Sequence, residues 1–326
     1  MTKPLGTMAR ISVRFLAESA RHGSLLLAVG IFGGLLVPPL AHATKWFITP
    51  NVVLLMTLVL LRVDIPAVFS HLTRPVRLAA IVGFQMLICP FIAAGVTAVV
   101  PLDPGTAAGI AIFATGTSAT SGAAFARLVG LDPELTLLAT LVGLFIVPLT
   151  GPPLAFLLTG ADLHVTVGGF MLRLGLVVGL PLLGSALLRR LAGPARLEPL
   201  GPALDGCVVW LVVFYGFAVM DGMQARLLAD PAWVMQASIA AFVADFGLNI
   251  VTTLAFLWLG WRAAASVGLM SGNRNMALYL AVLPAGADPK IALFFALVQF
   301  PLFLSPFVLG PIYRRIQRRS SMITVS

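Results

Sequence analysis

Charge is what this sequence has least of. Of its 326 residues only 10% are Asp, Glu, Lys or Arg, where a soluble domain carries about 25%. A water-soluble fold with so little polar surface would precipitate, which excludes soluble enzymes and disordered chains. Cysteine is scarce too. Cys89 and Cys207 both sit in apolar runs, so no disulfide scaffold or zinc framework is expected. The four histidines, His22, His42, His71 and His164, fall in loops or at the ends of apolar stretches. None stands beside a serine within an apolar run and no HExxH occurs, which argues against an intramembrane protease. There is no P-loop and no soluble domain, so an ATP-driven pump is excluded as well. What is abundant is apolar: 59% of the residues. The chain reads as an all-α polytopic membrane protein, with no enzymatic activity and no cofactor.

The basic residues outnumber the acids by 21 to 12. They lie in short loops and at both ends, with no aromatic-interleaved face, so they read as topology signals. No nucleic-acid or protein partner is expected; the partners are the lipid bilayer and a small solute. A span needs about 20 mostly apolar residues. Ten stretches qualify: 24–43, 48–63, 77–100, 105–127, 134–159, 165–190, 203–220, 232–259, 262–285 and 290–312. With both termini in the cytoplasm, 16 basic residues face inward and 3, Lys45, Arg226 and Lys290, face outward. An odd number of spans would leave one basic terminus outside, against the positive-inside rule. The expected location is the plasma (bacterial inner) membrane.

The sequence also repeats. GLDPELTLLATLV at 130–142 is echoed by GADPKIALFFALV at 286–298, an offset of 156 residues. Ten spans then divide into a cytoplasmic N-terminal segment, 1–23, a five-helix repeat, 24–160, a second, 161–312, and a basic cytoplasmic tail, 313–326. Five is odd, so the second repeat enters the membrane from the opposite side, an inverted repeat of the kind secondary transporters use. No ring-forming filter motif points to a channel instead.

The same offset lays Gly116 on Gly272, and both fall in unusual spans. Span four holds Thr115-Gly-Thr-Ser-Ala-Thr-Ser-Gly122, with Thr117, Ser118 and Ser121 among its hydroxyls. Span nine holds Ser271-Gly-Asn-Arg-Asn275. Glycine and short polar side chains disfavour continuous helix, and unwound backbone at membrane depth survives only inside protein or along a cavity. Helices four and nine are therefore expected to be broken, and two breaks in corresponding positions point to a binding site near the midplane. Arg274, about 12 residues into its span, sits roughly 18 Å deep and needs a partner. Asp245 in span eight is the expected one, with Asn249 a turn further along the same face. Asn273, Asn275, Gln85 and Gln299 are further candidates, as mid-membrane amides. Arg173 reads either as an outer-interface residue or as one facing a central cavity.

At this point the pattern resembles the bile acid:sodium symporter family. The resemblance runs over nearly the whole chain after residue 20, with local anchors in Gln85-Met-Leu-Ile-Cys-Pro90, in 120–160 and in Gly272-Asn-Arg-Asn275-Met-Ala-Leu278. It implies two sodium sites where the broken helices cross, and a panel of spans 1, 2, 6 and 7 moving against a core of spans 3–5 and 8–10. Carried over by position, Gln85, Thr136, Thr140 and Asn275 keep the family chemistry. Met270 stands where the family has Glu, Arg274 where it has Gln, and the span-four Asn is missing. A thioether and a guanidinium are poor company for a cation: two like charges a few ångströms apart repel by about 4 kcal/mol even at an effective dielectric near 20. The expectation is a secondary transporter of a small organic anion, sodium-independent, with Arg274 in place of a cation, or coupled to protons through Asp245. No metal site is firm; Gln85, Thr136, Thr140, Met270 and Arg274 are vestigial sodium positions. Two alternatives stay open. One is sodium symport with rearranged ligands, Ser118, Ser121, Thr136 and Thr140. The other is a non-transporting receptor or scaffold.

Overall fold

The computed structural model describes residues 14–19, 22–65, 68, 74–160 and 165–323. Lys3, Arg10, Arg21, His71, His164 and parts of the expected terminal segments lie outside the described residues. Among the described residues the chain is almost entirely helical, and its one β feature is an isolated antiparallel bridge. Seven helical stretches are long and apolar enough to cross a membrane: Pro38–Leu61, Pro75–Val99, Pro133–Thr159, Val167–Ala192, Ala195–Ala229, Pro231–Ala255 and Pro289–Arg315. They carry many exposed Leu, Val, Ile and Phe side chains, as lipid-facing helices do. An all-α fold of multi-pass membrane character is therefore present.

The other three expected spans are made of shorter pieces. The first is the helix Gly23–Leu36, 14 residues long. The fourth and ninth are each two half-helices: Pro104–Thr115 with Gly122–Leu128, and Trp261–Gly272 with Met276–Val282. The expected boundary between spans one and two needs correcting. The chain turns at Val37 (φ −122°, ψ 73°), and a new helix starts at Pro38. A residue before proline is barred from the helical region, whereas proline fits the first helical position. Residues 38–43 thus belong with the second span, and His42 lies in a helix. Span eight also ends earlier, at Ala255, and the last helix runs on through Ile323 into the expected tail.

Four helices start with the same device. Asp103, Asp132 and Asp230 each precede a proline at the first helical position and accept a backbone N–H of the first turn. Asp288 before Pro289 accepts the N–H of Lys290 at 2.9 Å. The carboxylate satisfies donors that a helix start leaves bare, and the proline has no N–H to satisfy. The Asp-Pro that anchors the repeat is thus a helix-start device that the chain also uses at 103 and 230.

The chain divides into two compact units, 1–64 with 176–229, and 65–175 with 230–326. The helix Val167–Ala192 contributes to both. In the first unit, Asn51 Nδ2 donates to the Leu211 carbonyl at 2.9 Å. Its charges sort to two ends. Arg62 pairs with Asp205, and Arg189 with Asp64 at 2.7 Å, around the end of the helix Ile48–Leu61. Lys45, ahead of that helix, pairs with Asp221 at 2.9 Å. The second unit sorts likewise. Arg262 donates to the Leu131 carbonyl at 3.0 Å, whereas Lys290 pairs with Asp103 at the opposite end of the half-helix Pro104–Thr115 from its break. The second unit holds both breaks.

Candidate functional site

The first half-helix ends at Gly116, whose backbone is extended (φ −66°, ψ 156°). The second ends at Asn273 (φ −79°, ψ 82°). Backbone that leaves a helix at membrane depth must find new partners, and here the two breaks supply each other. Ser118 and Arg274 form the antiparallel bridge. Ala119 N–H donates to the Asn273 carbonyl and Asn275 N–H to the Thr117 carbonyl, each at 2.8 Å. The run of small residues in span four and the Ser-Gly-Asn-Arg-Asn run in span nine are therefore not loose packing surfaces. They are two backbones joined by a few strand-like bonds.

Arg274 lies at this junction and heads the large, wholly buried side chains among the described residues. Its guanidinium donates to three backbone carbonyls: Nε to Ser271 at 2.8 Å, Nη2 to Gln85 at 3.1 Å, and Nη1 to Gly116. Each acceptor has a local reason to be free. Gly116 and Ser271 stand where half-helices end, and the last carbonyls of a helix lack intrahelical partners. Gln85 belongs to a π-helical turn, Phe84–Ile88, in which Cys89 N–H donates to the Phe84 carbonyl five residues back. The next donor in that register would be residue 90. It is proline and has no N–H, so the Gln85 carbonyl turns to Arg274. Helix C-terminal ends carry partial negative charge, so this arrangement stabilises a cation.

The expected Asp245–Arg274 pair is not formed. The three carbonyls take the guanidinium, and neither carboxylate oxygen of Asp245 has a hydrogen-bond partner. One planar fork answers three carbonyls that the breaks and the bulge leave without a helical partner. Asp245 is nonetheless wholly buried. The helices around it come unusually close at Gly272, where a Cβ would lie 2.5 Å from the Asp245 carbonyl oxygen.

The remaining candidates differ in location and in bonding. Gln85, Thr117, Ser118, Asn273 and Asn275 meet at the junction, Gln85 through its carbonyl and through Nε2, which donates to Val267 at 3.2 Å. Thr136 is buried, but its hydroxyl is bonded to the Asp132 carbonyl at 2.7 Å. Gln299 donates to Phe295 of its own helix at 3.1 Å, and Met270 is wholly buried. Ser121 precedes the short helix Gly122–Leu128 without a side-chain capping bond. The hydroxyls of Ser118 and Thr140 are buried without partners. Arg173 is exposed on its helix.

Some polar partners carried no strong signal in the sequence. Tyr279 Oη bonds Thr115 Oγ1 at 2.8 Å, Tyr313 Oη donates to Asn249 Oδ1 at 3.1 Å, and Ser305 Oγ donates to Asn273 Oδ1 at 3.0 Å. Tyrosine inside an apolar run was the available clue, since a buried phenol seeks a partner.

The chain matches no family model and no curated protein.

Among the described residues no group of three or more His, Cys, Asp or Glu is placed to hold a metal. A cleft of about 380 Å³ in the second unit, lined by residues such as Ile92, Val96, Ile239 and Val243, contains none of the junction residues. Its walls are almost wholly apolar, with Thr97 and Gln236 the polar side chains among the lining residues and no charged group to hold an anion.

Proposed function

We propose that the chain is a secondary transporter of a small organic anion, working by alternating access without sodium, with Arg274 as a built-in cation. The observation that supports this most is the seat of Arg274: three backbone carbonyls released by two helix breaks and a proline-induced bulge. Carbonyl oxygens at helix breaks are what transporters use to hold sodium, and hard cations want oxygen ligands. A guanidinium that cannot be deprotonated holds that position permanently. Its positive charge excludes a second cation and favours an anionic solute. The reading includes ten spans in two inverted five-helix repeats, both termini in the cytoplasm of a plasma membrane, and kinship with the bile acid:sodium symporters. The separation of spans 1, 2 and 7 from spans 3–5 and 8–10 into different compact units agrees with that kinship.

One observation favours a second reading. Ser118 Oγ and Thr140 Oγ1 are buried hydroxyls with no partner, as ligands of a rearranged sodium site would be in its absence. Uptake of a panel of organic anions into proteoliposomes, in sodium and in potassium at equal ionic strength, separates the readings. Equal uptake in both salts is expected. Uptake only in sodium supports the rearranged site, and no uptake of any anion supports a receptor or scaffold.

A further inference from the structure

We infer that Asp245 is a proton-binding site, through which transport is coupled to a proton gradient. The link to transport rests on the function proposed above; the site itself rests on geometry. Asp245 is wholly buried within the helix Pro231–Ala255, and both of its carboxyl oxygens are without a hydrogen-bond partner. A Cβ at Gly272 would lie 3.0 Å from Oδ1 and 3.3 Å from Asn249 Cβ. The carboxyl group is thus pressed against the backbone beside the second break, with Asn249 next to it.

The charged and titratable groups facing it are few. Arg274 comes from the break and Tyr313 from the helix Pro289–Ile323. Cys89 lies beside Arg274 and meets the helix of Asp245 at Thr252, 3.6 Å away. The helix Trp261–Gly272 carries only Arg262, near its start and bonded to the Leu131 carbonyl. The half-helix Pro104–Thr115 carries no titratable residue. Arg274 donates to three carbonyls and Tyr313 to Asn249, and neither donates to the carboxyl oxygens of Asp245.

An ionised carboxylate removed from water with no donor bonded to it is among the most costly groups a fold can hold, and the neutral acid is far cheaper. A proton removes the charge at once and needs no coordination sphere. A metal cation would need several oxygens, and the nearby amide oxygens of Asn249 and Asn273 each have one of their two lone pairs already engaged, by Tyr313 and Ser305.

The test is the infrared spectrum of the purified full-length protein at neutral pH, wild type against Asp245→Asn. A protonated carboxylic acid has its own C=O stretch. The expected result is that band in wild type, lost in Asp245→Asn and lost from wild type in alkali. Identical spectra would overturn the site. Should Asp245→Asn not fold, Asp245→Glu keeps the carboxyl and must displace the band; an undisplaced band overturns the site equally. A second arm uses whichever anion the salt comparison finds to be transported. With one proton per monoanion, an inward gradient of one pH unit should accumulate it up to about tenfold, and Asp245→Asn should abolish that gain. An Asp245-dependent band without transport of any anion leaves the proton site standing and removes the transporter reading. Transport without the band, and with no loss in Asp245→Asn, does the reverse.

Discussion

Arg274 and Asp245 are both wholly buried, both charged in water, and both in the second unit, yet the fold treats them oppositely. The arginine finds three carbonyl partners; the aspartate finds none. The difference lies in what surrounds each. Helix breaks, and a bulge ahead of a proline, release acceptors in excess of donors. A group made only of donors fits there, and a group made only of acceptors does not. Burial alone therefore says little about whether an ionisable residue is structural. The local balance of donors and acceptors decides it.

Replacement of each residue by a neutral one should show this difference most visibly. Arg274→Leu leaves three carbonyls bare and should destabilise the protein by about 3–5 kcal/mol, read as a lowered melting temperature in detergent. Asp245→Asn removes a group with no partners and should change stability by less than about 1 kcal/mol, in either direction. Equal losses for the two would mean that Asp245 is held by contacts like those of Arg274.

A smaller effect is expected at Gly272. A Cβ there meets the backbone oxygen of Asp245 at 2.5 Å, which no side-chain rotation relieves. Gly272→Ala should force the helices Pro231–Ala255 and Trp261–Gly272 apart, at about 1–3 kcal/mol. A variant as stable as wild type would show that the close approach is not needed.

The smallest effect lies at the far end of the same unit, where Asp103 has the partners that Asp245 lacks. Partial burial pulls its carboxyl upward, but the Lys290 ammonium and the N–H groups of Thr106 and Gly105 outweigh that and hold it below its ordinary 3.8. With the folded value depressed, the pair's contribution is fully present above about pH 4 and is lost as pH falls through the lower folded value. An ion pair partly open to water is worth under about 1 kcal/mol. Asp103→Asn keeps the helix cap and removes the charge, so its stability should match wild type at low pH and fall just below it at neutral pH. A constant gap across that range would assign the effect to the cap alone.

The comparison also explains what was legible in the sequence. The breaks were, because hydroxylated and small residues at Thr115–Gly122 and Ser271–Asn275 contradict the apolar runs around them. The depth of Arg274 was legible for the same reason. Its partners were not, because backbone carbonyls leave no side-chain signature; Pro90, five residues after Gln85, was the nearest trace. A carboxylate looked like the natural partner because charges are what a sequence displays. Apolar continuity through 24–43 hides the turn at Val37, although Pro38-Pro39 end the first helix at Leu36.

The central claim is that the guanidinium of Arg274 does the work of a bound cation. It is tested most directly by the melting temperature of the purified protein in sodium and in potassium at equal ionic strength, for wild type and Arg274→Gln. A ion that binds only the folded state raises the melting temperature by mass action. Wild type should ignore sodium, and Arg274→Gln, with its carbonyls freed, should be stabilised by it. Stabilisation of wild type by sodium would mean that the guanidinium does not replace a cation, and would assign the ion to the hydroxyls of Ser118 and Thr140.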